Sequence, residues 1–185
     1  MSSEHSRARG GFTIFLTGLP GAGKSTISKR LVHVLARDHG LQVTVLDGDI
    51  VREMLSSGLS FSRPDRDINV RRVGFVAGEV TRHGGICVCS VIAPYRSARA
   101  EVRSRISAIG GFYEVHVSTP LAVCEQRDPK GLYARARRGE IKSVTGVDDV
   151  YEEPETPELR IDSSLLTVDE EVEKILMLPR RDGRL

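Results

Sequence analysis

FTIFLTGLPGAGKS, residues 12–25, joins a short apolar run to a glycine-rich loop that ends in Lys-Ser. The apolar run contains β-branched residues and is bounded by glycines, which predicts a buried strand. The loop matches G-x-x-x-x-G-K-[ST] at every fixed position, and apolar residues recur at helical spacing after it, at Ile27, Leu31, Val34 and Leu35. The order strand, loop, helix predicts a phosphate-binding loop.

Each fixed position of this loop has a chemical reason. Glycines let successive backbone amides converge on phosphate oxygens, and the helix that follows adds its positive N-terminal end. Lys24 supplies a compact cation to the β- and γ-phosphates, and the Ser25 hydroxyl is placed to ligate Mg²⁺. The alternative is a glycine-rich turn that happens to contain Lys-Ser, and the flanking strand and helix argue against it. The predicted cofactors are therefore ATP and Mg²⁺, bound by Gly18, Leu19, Pro20, Gly21, Ala22, Gly23, Lys24, Ser25 and Thr26.

Further apolar runs alternate with amphipathic stretches along the rest of the chain. Strands are predicted at 12–17, 42–46, 86–92, 113–117 and 158–161, and helices at 24–38, 65–83, 97–109, 121–127 and 168–178. Continuously apolar strands alternating with helices predict a parallel sheet covered on both faces, an α/β fold of the P-loop NTPase type. We expect one domain over residues 12–178, a flexible N-terminal tail over 1–11 and a C-terminal tail over 179–185.

Composition narrows the class of partner. Charged residues make up 28% of the 185 residues but leave a net charge of only +2, which favours neither nucleic acid nor membrane as a partner. No apolar run has the length of a membrane span, and residues 1–11 lack the apolar core of a secretory signal. The three cysteines have no metal-ligand spacing and are expected to be small buried hydrophobic residues. These features predict a cytoplasmic protein.

An acidic pair, Asp47-Gly48-Asp49, directly follows the second predicted strand. Ligands of parallel sheets collect at the carboxyl ends of the strands, so this pair should face the phosphate-binding loop. There it can hold Mg²⁺ and accept a proton from an acceptor hydroxyl. The alternative is a solvated turn in which Asp49 caps the next helix.

Two basic clusters follow the acidic pair. The first comprises Arg52 and the stretch 61–69, FSRPDRDIN, in which arginines can bind anionic groups and Phe61 can stack on a base. The second comprises Arg127 and the basic residues of the segment 128–157, which is rich in charge, Gly and Pro. We call residues 128–157 the lid segment, since a mobile basic loop can close over phosphates and exclude water. For any single residue in these clusters, a solvated surface position is the alternative.

Together these motifs resemble the adenylylsulfate kinases (APS kinases), which phosphorylate the 3′-hydroxyl of adenosine 5′-phosphosulfate with ATP. The strings that carry the resemblance are TGLPGAGKST, LDGDIVR, FSRPDRDINVRRVGFVA, VIAPYRSAR and EQRDPKGLYARARRGEIKSVTGVDDVYEEPETPEL. The resemblance implies that Lys24, Asp47 and Asp49 are catalytic, one of the aspartates being the general base, and that Ser25 and Asp47 hold the metal.

The resemblance also implies an acceptor site. Arg52, Arg66 and Asn69 would hold the phosphosulfate and ribose, Phe61 would stack on adenine, and the backbone at Ile92 would line the same pocket. Arg127 and the lid segment would close over the nucleotides. Acceptor contacts are further expected from Asp49, Lys130, Gly131, Leu132 and Val144. A homodimer is expected, together with association with ATP sulfurylase.

Two positions depart from the family pattern. Ala93 replaces the serine of the S-P-Y-R motif, and Val144 stands where the family commonly has a phenylalanine against the adenine. Direct transfer between bound ATP and acceptor needs no enzyme nucleophile, so Ala93 is compatible with the reaction. Val144 leaves open a same-fold kinase for another anionic nucleotide or phosphoramidate. A nucleotide-binding module without turnover is the other alternative, and the retained acidic pair argues against it.

Overall fold

Five parallel strands form the sheet of this protein, whose computed structural model describes residues 10–185. Most of the predicted N-terminal tail, residues 1–9, lies outside the described residues. The strands are β1 (Phe12–Thr17), β2 (Val43–Asp47), β3 (Ile86–Ser90), β4 (Gly111–Val117) and β5 (Leu159–Ile161), in the spatial order β2-β3-β1-β4-β5. The helices are α1 (Lys24–His39), α2 (Gly48–Met54), α3 (Arg63–Arg82), α4 (Arg96–Ser107), α5 (Leu121–Arg127), α6 (Leu132–Arg137) and α7 (Val168–Arg181).

The central strand β1 divides the core into two layers. Its residues Ile14 and Leu16 pack with α1 and α7 on one face, whereas Phe15 packs with α3 and α4 on the other. Because side chains alternate across a strand, a run that is apolar at most positions supplies both layers at once. The predicted fold class, a parallel sheet covered by helices on both faces, is confirmed.

The edge strand β2 is less buried than its sequence suggested. Val45 is 39% exposed, and Thr44 is also exposed. An edge strand has a sheet neighbour on one side only, and here that neighbour is β3. The strand nevertheless fixes the acidic pair, since its last residue, Asp47, is aligned with Ser90 of β3.

Most element boundaries differ from the prediction by one or two residues; the strand predicted at 86–92 ends at Ser90, and β4 begins at Gly111. Three differences are larger. Helix α2, which the sequence analysis did not assign, begins at Gly48 and ends at Met54. Within the lid segment the chain forms α6 and a parallel bridge between Thr145 and Asp149. The last helix continues through the buried Pro179 to Arg181, beyond the predicted end at residue 178.

The described chain ends contact the domain. Gly11 is buried, and its carbonyl accepts a hydrogen bond from the Gly111 amide (3.0 Å). Arg184 donates to the same carbonyl through Nη1 (3.3 Å), while Asp182 accepts a bond from Tyr113 Oη (2.9 Å). Among residues 10–185, no helix combines the length and the apolar character that a membrane crossing requires.

Candidate phosphoryl-transfer site

The phosphate-binding loop follows β1 at the carboxyl edge of the sheet, and its glycines are sterically required. Gly18 has φ 152°, and a Cβ atom there would lie 2.4 Å from the Val117 carbonyl oxygen of the neighbouring strand. Gly23, at the start of α1, has φ 110°, and its Cβ would lie 2.9 Å from Ser163 Oγ. Side chains are excluded at both positions, so the loop can present its amides to phosphate oxygens as the sequence analysis predicts.

Lys24 is held inside this loop. Its Nζ donates to the carbonyl oxygens of Gly18 (2.9 Å) and Leu19 (2.8 Å), and only 8% of the residue is exposed. The pKa of Lys24 is lowered to about 8, chiefly because the residue is buried. Lys130 adds to this lowering, whereas Cys124, Asp47 and Asp49 oppose it. Because water screens a buried cation poorly, protonated Lys24 would attract a phosphate strongly.

Three oxygen-bearing side chains meet where the loop joins α1. Ser25 Oγ donates to Asp47 Oδ2 (3.0 Å) and lies 3.4 Å from Ser90 Oγ. In the described chain no three acidic, histidine or cysteine side chains form a metal cage. Mg²⁺ is commonly bound by one or two protein oxygens together with phosphates and water, so Ser25 and Asp47 fit this ion. The sequence analysis missed Ser90, although its place at the carboxyl end of the strand beside β1 could have identified it.

The two aspartates of the acidic pair have different local roles. Asp47 is the N-cap of α2, and its Oδ1 accepts the Asp49 amide (3.1 Å). The alternative that Asp49 caps this helix is therefore wrong. Asp49 lies in the first turn, its side chain is 71% exposed, and its carboxylate forms an ion pair with Lys130 of the lid segment. Asp49, a predicted catalytic aspartate, and the predicted lid lysine are thus in direct contact.

Arg66 joins several parts of the predicted acceptor site. It is 5% exposed, its Nε donates to the Phe61 carbonyl (2.9 Å), and its Nη2 donates to the Ser143 carbonyl. It also pairs with Asp149 at 3.6 Å. One helical turn further on, Asn69 is buried, and its Oδ1 has no hydrogen-bond partner within the described chain. A buried amide without a partner is costly, so Asn69 is available to a ligand.

The two residues expected to enclose the adenine are one aromatic residue, Phe61, and one aliphatic residue, Val144. Phe61 is 59% exposed, with the guanidinium carbons of Arg52 and Arg66 4.8 Å and 5.5 Å from its ring centroid. Val144 is 7% exposed and directly follows Ser143, which Arg66 contacts. The Arg66 guanidinium therefore contacts both Phe61 and the segment that carries Val144.

The remaining predicted residues surround the phosphate-binding loop. Arg127 donates to the Ser163 carbonyl (2.9 Å) and lies beside Gly23. The Ile92 carbonyl accepts from Thr17 Oγ1 (2.6 Å), so this backbone is fixed to the end of β1. Gly131 has φ 63° and precedes α6, which begins at Leu132.

Comparison with known proteins agrees with this geometry. The profile described as adenylylsulphate kinase matches residues 10–162. The adenylyl-sulfate kinase of Gloeothece citriformis (strain PCC 7424) is 57% identical over 166 residues, 90% of this chain and 92% of that protein. The Mycobacterium tuberculosis APS kinase CysC, solved in complex with AMPPNP and APS, has a TM-score of 0.85 and 40% identity, covering 91% of this chain and 96% of that chain. The sulfate adenylyltransferase of Aspergillus terreus is 48% identical over 182 residues, 98% of this chain but 32% of that protein.

Proposed function

The chain belongs to the adenylylsulphate kinase family, and we infer that it transfers the γ-phosphoryl group of ATP to the 3′-hydroxyl of adenosine 5′-phosphosulfate, giving 3′-phosphoadenylylsulfate and ADP. The observation that carries this function is the meeting of three segments at one edge of the sheet. Ser25 of the phosphate-binding loop bonds Asp47, and Lys130 of the lid segment pairs with Asp49. These contacts support a single site in which ATP, the metal and the acceptor hydroxyl bind side by side.

The phosphate-binding loop performs the nucleotide half of the reaction. Loop amides and Lys24 bind the β- and γ-phosphates, and Ser25 and Asp47 would hold Mg²⁺. Held by these two side chains, Mg²⁺ would supply positive charge to neutralise the negative charge that develops on the transferring phosphoryl group. Lys24 adds to this neutralisation from within the loop, where its burial strengthens its interaction with an anion.

Asp49 is the proposed general base. It lies in the first turn of α2, where it is free of intrahelical side-chain bonds, and its exposed carboxylate can reach an acceptor hydroxyl. Lys130 orients this carboxylate and brings a second cation towards the transferring phosphoryl group. The transfer is direct, because positioning and charge stabilisation suffice for phosphoryl transfer and Ala93 offers no hydroxyl.

The acceptor half is formed by residues of α2, of the loop that follows it and of the first turns of α3. Arg66 and Arg52 supply donors for the phosphosulfate, and the unpartnered Oδ1 of Asn69 can accept from a ribose hydroxyl. Phe61 offers an exposed ring for the adenine. Arg127, Gly131 and Leu132, the first residue of α6, would cover the nucleotides. Val144 favours a second candidate, a kinase of the same fold with a related anionic acceptor, because valine gives adenine no ring to stack on.

A coupled assay of ADP release tests the function. MgATP is supplied with adenosine 5′-phosphosulfate, with AMP or with a phosphoramidate nucleotide, and the kcat/KM values are compared. We expect adenosine 5′-phosphosulfate to be used at least about tenfold better than the others. Preference for another acceptor supports the second candidate. Absence of turnover with all of them supports a binding module instead.

The proposal also covers the oligomeric state of the protein. We propose a homodimer that forms through α3, because Ile68 (37% exposed) and Phe75 (54% exposed) lie two turns apart on one face of that helix. Light scattering after gel filtration should give twice the mass of the chain. Phe75→Glu should give the monomer, whereas Leu165→Glu, at an apolar residue 78% exposed elsewhere, should leave the mass unchanged.

Association with ATP sulfurylase and a cytoplasmic location complete the proposal. The Aspergillus terreus sulfate adenylyltransferase contains a segment similar to this chain, which supports contact between the two activities. Analytical ultracentrifugation of this protein mixed with a separate sulfate adenylyltransferase tests the association. Three free cysteines, all buried, agree with a reducing compartment, and fractionation of cells that express the protein tests the location.

A further inference from the structure

We propose that Tyr151 is a positioning residue that sets the acceptor segment relative to the phosphate-binding loop through the hydroxyl of Thr17. This inference rests on the proposed function. It concerns a side chain at the end of the stretch 144–151, VTGVDDVY, in which only Val144 was assigned a role from the sequence.

Thr17 is the last residue of β1 and directly precedes Gly18 of the phosphate-binding loop. It is fully buried, and its Oγ1 lies 2.6 Å from the Ile92 carbonyl and 2.9 Å from Tyr151 Oη. A threonine hydroxyl has one proton, and the carbonyl can only accept it. Tyr151 therefore donates to Thr17, and Thr17 donates to Ile92. Burial raises the pKa of Tyr151 to about 12, so its hydroxyl keeps this proton at neutral pH.

The ring of Tyr151 is held on both sides. It stacks on His116 with centroids 5.5 Å apart and planes at 28°, and the Arg99 guanidinium lies 5.6 Å from its centroid. His116 is the register partner of Thr17 on β4. Burial lowers the pKa of His116 to about 4, which keeps the imidazole neutral at neutral pH. The stack therefore places the phenol over Thr17, and the neutral imidazole does not repel the nearby Arg99 guanidinium.

The segment that ends at Tyr151 carries acceptor contacts. Asp148 accepts the amides of Ser143 and Val144 at 2.7 Å each, which closes the turn. Asp149 accepts from Tyr95 Oη (2.7 Å) and pairs with Arg66. Two residues later, Tyr151 ties this turn to the strand that leads into the phosphate-binding loop. One hydroxyl therefore links the nucleotide loop, the Ile92 backbone and the acceptor turn.

Phosphoryl transfer depends on the distance between donor and acceptor, so loss of this link should reduce acceptor use more than nucleotide binding. Tyr151→Phe removes the hydroxyl and keeps the ring on His116. We expect kcat/KM for adenosine 5′-phosphosulfate to fall about fivefold, the usual effect of one net hydrogen bond. The Kd of AMPPNP should change by less than about twofold.

Tyr113→Phe is the matched control. Tyr113 also donates one hydrogen bond, to Asp182 (2.9 Å), but far from the carboxyl edge of the sheet. It should lower Tm and leave kcat/KM unchanged. In a double-mutant cycle, Thr17→Val combined with Tyr151→Phe should be no worse than Thr17→Val alone, because both remove the same link. Additive losses, or equal losses in the Tyr113 and Tyr151 variants, overturn the proposal.

A second readout separates this inference from the proposed function. Wild-type turnover of adenosine 5′-phosphosulfate tests the function alone. Hydrogen exchange over residues 144–153 tests the link whatever the acceptor is. Tyr151→Phe should speed exchange there about fivefold, and Tyr113→Phe should not. Unchanged exchange in the Tyr151 variant overturns the link even if the wild-type enzyme is active.

Discussion

Lys130 and Asp49 form an ion pair although 81 positions separate them in the chain. The contact brings the start of the lid segment onto the first turn of α2, beside the phosphate-binding loop. A lysine at this point can orient the proposed base and contact the transferring phosphoryl group, so we propose that the pair couples closure of the lid segment to phosphoryl transfer.

Lys130→Ala should lower kcat by about tenfold to a hundredfold, because misplacement of a reacting group by about an ångström has effects of that size. The steady-state rate at saturating ATP and acceptor measures it. Lys142→Ala, at an exposed lysine of the same lid segment, is the control and should retain the wild-type kcat. Equal rates in the two variants would assign Lys130 to the solvated surface.

Replacement of Lys24 by methionine should abolish activity and stabilise the protein at neutral pH. The pKa of Lys24 is about 8 in the folded protein against 10.5 unfolded, so its burial as a cation destabilises the fold below pH 8. As pH rises from 8 to 10.5 the folded state loses this proton first, and the wild type gains about 3 kcal/mol relative to the variant. Urea unfolding from pH 7 to 10.5 measures this gain. Lys29→Met, at an exposed lysine of α1, should show neither effect.

Substitutions of the two aspartates should differ in their effect on the Mg²⁺ requirement, although both should lower kcat. Asp47→Asn and Asp49→Asn should each lower kcat by about a hundredfold or more, the scale of general-base catalysis. Asparagine is also a good N-cap, so Asp47→Asn should leave Tm nearly unchanged while raising the Mg²⁺ concentration needed for half-maximal rate. Asp38→Asn, at an exposed aspartate of α1, should have wild-type kinetics. A wild-type kcat in both variants would show that the acidic pair only caps the helix and takes no part in catalysis.

Val144→Phe should lower the KM for adenosine 5′-phosphosulfate about fivefold, since a base–aromatic stack contributes about 1–3 kcal/mol and valine already supplies part of it. With the adenine remote from the transferring group, kcat should change little. Val144 is 7% exposed, so the larger ring should also lower Tm. Phe61→Ala should raise KM. Val150→Phe adds a ring at a 54% exposed valine of the same segment and should leave KM as it is.

The phosphate-binding loop and the sheet were predictable because their signals are local. Eight consecutive residues with a fixed pattern specify the loop, and continuous apolar runs specify parallel strands. The position of Asp47 and Asp49 at the carboxyl edge followed from strand direction alone. The sequence did not show which of the two aspartates caps α2, because either residue of Asp-Gly-Asp can act as an N-cap.

The contacts that complete the site were not predictable from local pattern. Arg66 reaches Ser143 across 77 positions, and Thr17 reaches Tyr151 across 134. Neither partner carries a periodic or spacing signal, since a loop that packs through single hydrogen bonds leaves no apolar repeat. Helix α2 escaped prediction for a related reason: it is two turns long, and only Val51 among its residues is buried.

The contact of Arg184 with Gly11 has a consequence for how the fold can be joined to other proteins. Both ends of the described chain lie at the amino edge of the parallel sheet, where β1 and β4 begin, whereas the phosphate-binding loop lies at the opposite edge. A domain attached at either described end would extend from the edge of the sheet opposite the phosphate-binding loop. Because Gly11 and Arg184 are in contact, a circular permutant that joins the described ends by a short glycine linker and opens new ends in a surface loop should fold.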